Sequence, residues 1–178
     1  MELIILVDDQ DRQIGVEEKL AGHRNGGRLH RAFSVLIFNR RGEMLLQQRS
    51  TRKYHFRGLW TNACCGHPRP GEALESSAHR RLQEELGFDT ALREVFSFVY
   101  SAEDPDSGLT EREFDHVFVG GFDGTPRPHP DEVSALRWIA RAELERDLAA
   151  RPDSYSAWFR EAFARTVALA AWPGGDPG

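Results

Sequence analysis

Between Trp60 and Phe88 the chain reads WTNACCGHPRPGEALESSAHRRLQEELGF, and no other stretch limits the fold as much. Leu74, Ala78, Leu82 and Leu86 recur every four residues, the spacing of an amphipathic helix with one buried face. Gly87, which tolerates left-handed dihedrals, ends the helix. A loop carrying a thiol and an imidazole, Cys65 and His67, stands ahead of it, and Glu75, Glu84 and Glu85 lie along it. Glu85 flanks the buried stripe at its C-terminal end, where its carboxylate could reach a cation held by the preceding loop, because hard divalent ions prefer carboxylate oxygen. For any one of these glutamates alone, a solvated acidic helix face is the simpler reading.

The 178 residues suit one domain around a single core, expected to run from 1 to 172, with 173–178 as a tail that frays. A formal charge of −5 argues against a nucleic-acid partner held by broad electrostatics. No apolar run approaches membrane-spanning length and no basic segment precedes one, so a cytosolic protein is the default. The only cysteines, Cys64 and Cys65, are neighbours; they make no structural cross-link within the chain, and at least one thiol is free for chemistry.

Residues 2–7, ELIILV, read as an opening strand, and the DDQDRQIG that follows reads as a turn. VEEKLAGH leads into a Gly-rich loop flanked by His23 and His30, two imidazoles able to converge on one ion. Phe33–Phe38 and Met44–Gln48 read as a hairpin around Asn-Arg-Arg-Gly. The basic segment Arg49, Arg52, Lys53, Arg57 then feeds the Trp60–His67 loop, where it could bring positive charge to an anionic ligand. Two strands follow the central helix, ALREVFSFVYSAED and LTEREFDHVFVGGFDG. Residues two apart on a strand share a face, so Glu111 and Glu113 point together and repel unless a cation or a proton sits between them. The chain closes with a strand to Ile139 and two helices.

From Gly66 the spacing of Glu72, Arg80, Arg81, Glu84, Glu85 and Gly87 resembles the Nudix box, whose loop, helix and loop hold a divalent cation against a diphosphate. The segments AGHRNGGRLHRAFS, LWTNACCGHPRPGE and TEREFDHVF narrow the resemblance to the type I isopentenyl diphosphate isomerases, Nudix-fold enzymes of isoprenoid synthesis. That resemblance implies one α+β domain with a mixed sheet between helices. It implies His23, His30, His67, Glu111 and Glu113 as ligands of one tightly held divalent ion, Mn²⁺, Zn²⁺ or Mg²⁺, and Glu85 as the carboxylate for a further Mg²⁺ arriving with the diphosphate. It makes Cys65 and Glu113 the proton-transfer groups with Tyr100 beside the second. Lys19, Arg49, Lys53 and Arg81 match phosphate-facing positions, and Trp158, with Trp60, offers an aromatic face to the hydrocarbon.

Lys19 and Lys53 are the only lysines in the chain, and both fall on such phosphate-facing positions. The implied substrates are isopentenyl and dimethylallyl diphosphate, with neither nucleic acid nor membrane as partner and a monomer as the expected state. Two rival readings are a Nudix pyrophosphohydrolase of a nucleoside diphosphate derivative and a non-catalytic diphosphate-binding protein. The first leaves Cys65, His23 and His30 without a task and meets a base, Arg81, where the hydrolase box has a glutamate. The second needs no proton-transfer pair.

Overall fold

In the computed structural model, which describes residues 2–53 and 55–173, the central strand β3 (His30–Phe38) sends alternate side chains into two different cores. Phe33, Val35 and Ile37 share one core with Ala78, Leu82 and Leu86 of α2 (Leu74–Leu86). Leu36 and Phe38 share the other with Phe159, Ala162 and Phe163 of α4 (Ala157–Ala168) and with Leu144 of α3 (Arg141–Ala150). A strand buried on both faces reads as a near-continuous apolar run, and AFSVLIF is one interrupted only by Ser34. The result is the expected mixed sheet between helices.

The opening strand is β1 (Leu3–Val7), but the turn expected after it is short, and Gln13–Glu18 form β2 antiparallel to β1. Ile14 and Val16 of β2 are exposed, so pairing with β1 rather than burial makes this strand. A single helical turn, α1 (Lys19–Gly22), follows. The hairpin between β3 and β4 (Met44–Arg49) is real only at its tip, where Phe38 pairs with Met44. Beyond the tip the strands splay. β3 runs parallel to β8 (Thr110–Gly121) from His30 to Phe38, and β4 pairs with β9 (Val133–Ile139). Two short strands, β5 (Trp60–Thr61) and β6 (Cys64–Gly66), pair with β4 and β3, and β7 (Leu92–Glu103) pairs with β8 along its length.

Gly87 closes α2 at φ +69°, and a Cβ there would stand 3.0 Å from the Cβ and carbonyl oxygen of Arg127. The C-terminal chain is anchored by Trp172, whose ring meets Phe38 and Phe163 and whose Nε1–H donates to the Gly42 carbonyl at 2.9 Å. Apart from Pro173, the expected tail lies outside the described residues. Among the described residues no helix is long and apolar enough to cross a membrane.

Candidate active site

Strand register assembles the floor of the site. Glu113 of β8 is flanked by Tyr100 of β7 and His30 of β3, and Ser34 of β3 stands opposite Cys65 of β6. On β8 Val117 and Val119 belong to the α4 core, and the alternation carries the same face back through Asp115, Glu113 and Glu111, all buried. An apolar stripe thus turns acidic along one strand. The cysteine doublet is split the same way, Cys64 entering the α2 core and Cys65 packing toward α4.

Five side chains converge over that floor. His23, His30, His67, Glu111 and Glu113 offer donor atoms that all lie within 4.8 Å of one another. The loop that delivers His23 is clamped to the start of β8: Thr110 N–H donates to the His23 carbonyl at 2.8 Å, and a Cβ on Gly27, at φ +68°, would meet the Thr110 carbonyl oxygen at 2.6 Å. His23 Nδ1 lies 2.5 Å from the Lys19 carbonyl and His30 Nδ1 2.8 Å from the Arg28 carbonyl. A carbonyl only accepts, so each Nδ1 carries the proton and each Nε2 presents a lone pair inward. Nε2 of His23 is 2.8 Å from Glu111 Oε2, and Nε2 of His67 is 2.7 Å from Glu113 Oε1 and 3.1 Å from His30 Nε2.

Burial drives His67 down to about 4, which keeps it a neutral donor. Burial alone would raise Glu111, but the His23 and His55 rings beside it outweigh that and hold the carboxyl well below its ordinary range. Lone pairs crowded in this way repel unless something positive sits among them. Three nitrogens and two carboxylates fit one divalent ion.

Cys65 Sγ lies 3.2 Å from Asn62 Oδ1, accepts the Trp158 Nε1–H at 3.2 Å and stands 3.8 Å from Ser34 Oγ. Asn62 is fully buried, and its Nδ2 donates to the carbonyls of Cys64 and Val35, which aims the amide oxygen at the sulfur. Burial, reinforced by Asp115 nearby, pushes the thiol up to about 12, so at neutral pH it holds its proton. The Tyr100 hydroxyl donates to Glu113 Oε2, and burial raises that hydroxyl well above its ordinary range. The Trp158 ring lies 6.2 Å from Tyr100, so one indole touches both the thiol and the tyrosine paired with Glu113.

A cavity of about 770 Å³ joins these groups to the cationic ones. Cys65, His67, Tyr100, Glu111 and Trp158 line it together with Lys19, Arg49, Lys53 and Arg81. Each cation already has a partner: Lys19 meets Glu2 at 3.0 Å, Lys53 meets Glu132, and Arg81 meets Glu84 at 2.8 Å as well as Glu85. Arg49 donates to the Phe56 and His55 carbonyls and lies 5.3 Å from the Trp158 ring, so its guanidinium holds the backbone at those two residues as well as facing the cavity.

Glu85 is buried apart from the five-donor cluster, its oxygens held by Arg81 and by Gln47 Nε2 at 2.9 Å. Trp60 is not brought to the cavity; its ring lies beneath Arg137, 5.0 Å away, because β5 carries it to the edge of β4. Asn62, Ser34, Asp115, His55, Glu2 and Glu132 belong to the site although the sequence reading assigned them no role in it. Asp115 had a signal as the next member of the Glu111, Glu113 alternation, and Asn62 stands in the LWTNACCGHPRPGE segment that carries the family resemblance.

The fold and the box on α2 define a Nudix protein, and residues 28–159 match the NUDIX domain. The structure overlays the MutT protein from Methanosarcina mazei with a TM-score of 0.66 at 22% identity, covering 80% of this chain and 95% of that one. Within the superfamily the sequence is more specific. It is 48% identical to isopentenyl-diphosphate Delta-isomerase of Halorhodospira halophila over 90% of this chain and 92% of that one, and 50% identical to isopentenyl-diphosphate Delta-isomerase 2 of Photorhabdus laumondii over 90% and 89%. The chain belongs to the isopentenyl-diphosphate Delta-isomerase family.

Proposed function

We propose that this protein interconverts isopentenyl and dimethylallyl diphosphate by adding a proton at one end of an allylic unit and removing another beside it. The observation that carries the reading is the shared cavity: Cys65 and Tyr100, the latter bonded to Glu113, border the same space as Lys19, Lys53 and Arg81. Protonating an unactivated alkene needs an acid held against the π-bond where water cannot trap the resulting cation. Cys65, with its proton retained by burial, and the Glu113–Tyr100 pair are the two groups able to give and take those protons.

Trp158 touches both and offers its ring to the tertiary cation, an interaction worth about 2 kcal/mol when desolvated; in the free protein that ring already meets a cation, Arg49. Lys19, Lys53 and Arg81 would exchange their carboxylate partners for diphosphate oxygens, fixing the head so that the short hydrocarbon loses little further freedom. His23, His30, His67, Glu111 and Glu113 would hold one divalent ion, and Glu85 would hold the Mg²⁺ that accompanies the diphosphate. When bound, the first ion sets the orientation and acidity of Glu113. A monomer in the cytosol completes this reading.

The test is a pair of variants. Cys65→Ala and Glu113→Gln are each expected to lower kcat by orders of magnitude while circular dichroism shows an intact fold. A near-wild-type rate in either one contradicts the assignment.

A further inference from the structure

We propose that His55 is a positioning residue that fixes how Glu111 faces the ion site. The inference rests on the reading of the five converging side chains as a metal centre. His55 is not one of those five donors, yet it is 4% exposed and its Nε2 is bonded to Glu111 Oε1. The other oxygen, Oε2, faces the cluster, 2.8 Å from His23 Nε2 and 3.8 Å from His30 Nε2. With Oε1 engaged outside the cluster, Glu111 presents a single oxygen to an ion. Without that bond the carboxylate is free to turn and offer both oxygens or neither, so the bond from His55 sets the denticity and aim of a ligand. Partners of ligating carboxylates commonly act in this way.

The loop carrying His55 is itself built to hold the ring in place. Phe56 sits at φ +49°, a conformation that non-glycine residues avoid and that persists only when its surroundings enforce it. Here Arg49 supplies hydrogen bonds to the carbonyls of His55 and Phe56, at 3.2 and 3.0 Å, and Asp104 Oδ2 accepts the Phe56 N–H at 3.2 Å. The Phe56 ring then packs edge-on against both His55, at 5.3 Å, and Trp158, at 5.3 Å. One strained residue thereby joins the partner of a metal-site carboxylate to the aromatic wall of the cavity. Lys53, two residues before His55 in the sequence, lines the same cavity as His55 and Glu111.

Glutamine can replace the N–H donor of His55, whereas leucine fills the space without one. Wild-type protein, His55→Gln and His55→Leu are to be stripped of metal with a chelator and titrated with Mn²⁺, the free aquo ion being read by electron paramagnetic resonance. The expected result is one ion taken up by wild type, a loss of about 10- to 100-fold in affinity for His55→Leu, and recovery of most of that loss in His55→Gln. Circular dichroism and thermal melts of the metal-free proteins show whether each variant is folded; if His55→Leu is not, His55→Gln against wild type decides, near-equal affinity supporting the proposal and a 10-fold or greater loss overturning it. Equal affinity in all three proteins, or a loss in a folded glutamine variant as large as that in leucine, overturns the proposal. Failure of the wild type itself to take up Mn²⁺ overturns the five-donor reading and this inference with it.

Discussion

Lys53 shows how much of a residue's chemistry depends on its surroundings. Burial pushes its ammonium down to about 8, against the pull of Glu85, whereas an exposed lysine titrates at about 10.4. The depressed value means that the free enzyme loses this positive charge as pH rises through about 8, and a diphosphate then meets a neutral amine. We therefore expect kcat/KM, which reports the free enzyme, to fall on the alkaline side with a midpoint near 8, and the limb to move above pH 10 in Lys53→Arg, whose guanidinium stays charged. An unchanged alkaline limb in Lys53→Arg would assign the ionisation to another group. Glu111 and Glu113 were legible because two carboxylates sharing one strand face are themselves a chemical statement, and Cys65 and His67 through the resemblance of the motif that holds them. His55 and Ser34 were not, since each acts by touching a residue distant in the chain or across a strand pair, and such contacts leave no periodicity to read.

At the scale of elements, α4 has two faces with two tasks. Trp158 looks into the cavity, and Phe159, fully buried one residue on, locks the helix to Leu36 and Phe38 of β3 through the shared core. Truncating Phe159 to alanine is expected to cost about 3–5 kcal/mol and to lower the melting temperature by roughly 10 °C, with the remaining folded enzyme keeping its KM because Trp158 is untouched. A melting temperature within a degree or two of wild type would show that α4 is held elsewhere. The helices α2, α3 and α4 and the strands β1, β7, β8 and β9 were readable from apolar spacing, whereas the single turn of α1 was not. What could not be read was partnership: Phe38–Met44 is the whole of the β3–β4 pairing, since β3 is better buried beside β8, and β2 exists because β1 offers it an edge.

Across the whole molecule, two cores on opposite faces of one sheet leave room at the acidic end of β8 for a metal centre, a thiol and an aromatic wall, with the cationic residues bordering the same cavity. Because five ligands from β8, β3, the loop after α1 and the loop after β6 would share one ion, chelation is expected both to abolish turnover and to lower the melting temperature, with a divalent metal restoring each. Full activity in metal-free protein would remove that centre from the account. The central claim, that protons are moved at carbon while the diphosphate stays whole, is tested most directly by incubating the protein with isopentenyl diphosphate in D₂O and following deuterium by mass spectrometry and phosphate by a colorimetric assay. Deuterium is predicted to enter the five-carbon diphosphate with no phosphate released; phosphate release without deuterium uptake would contradict it.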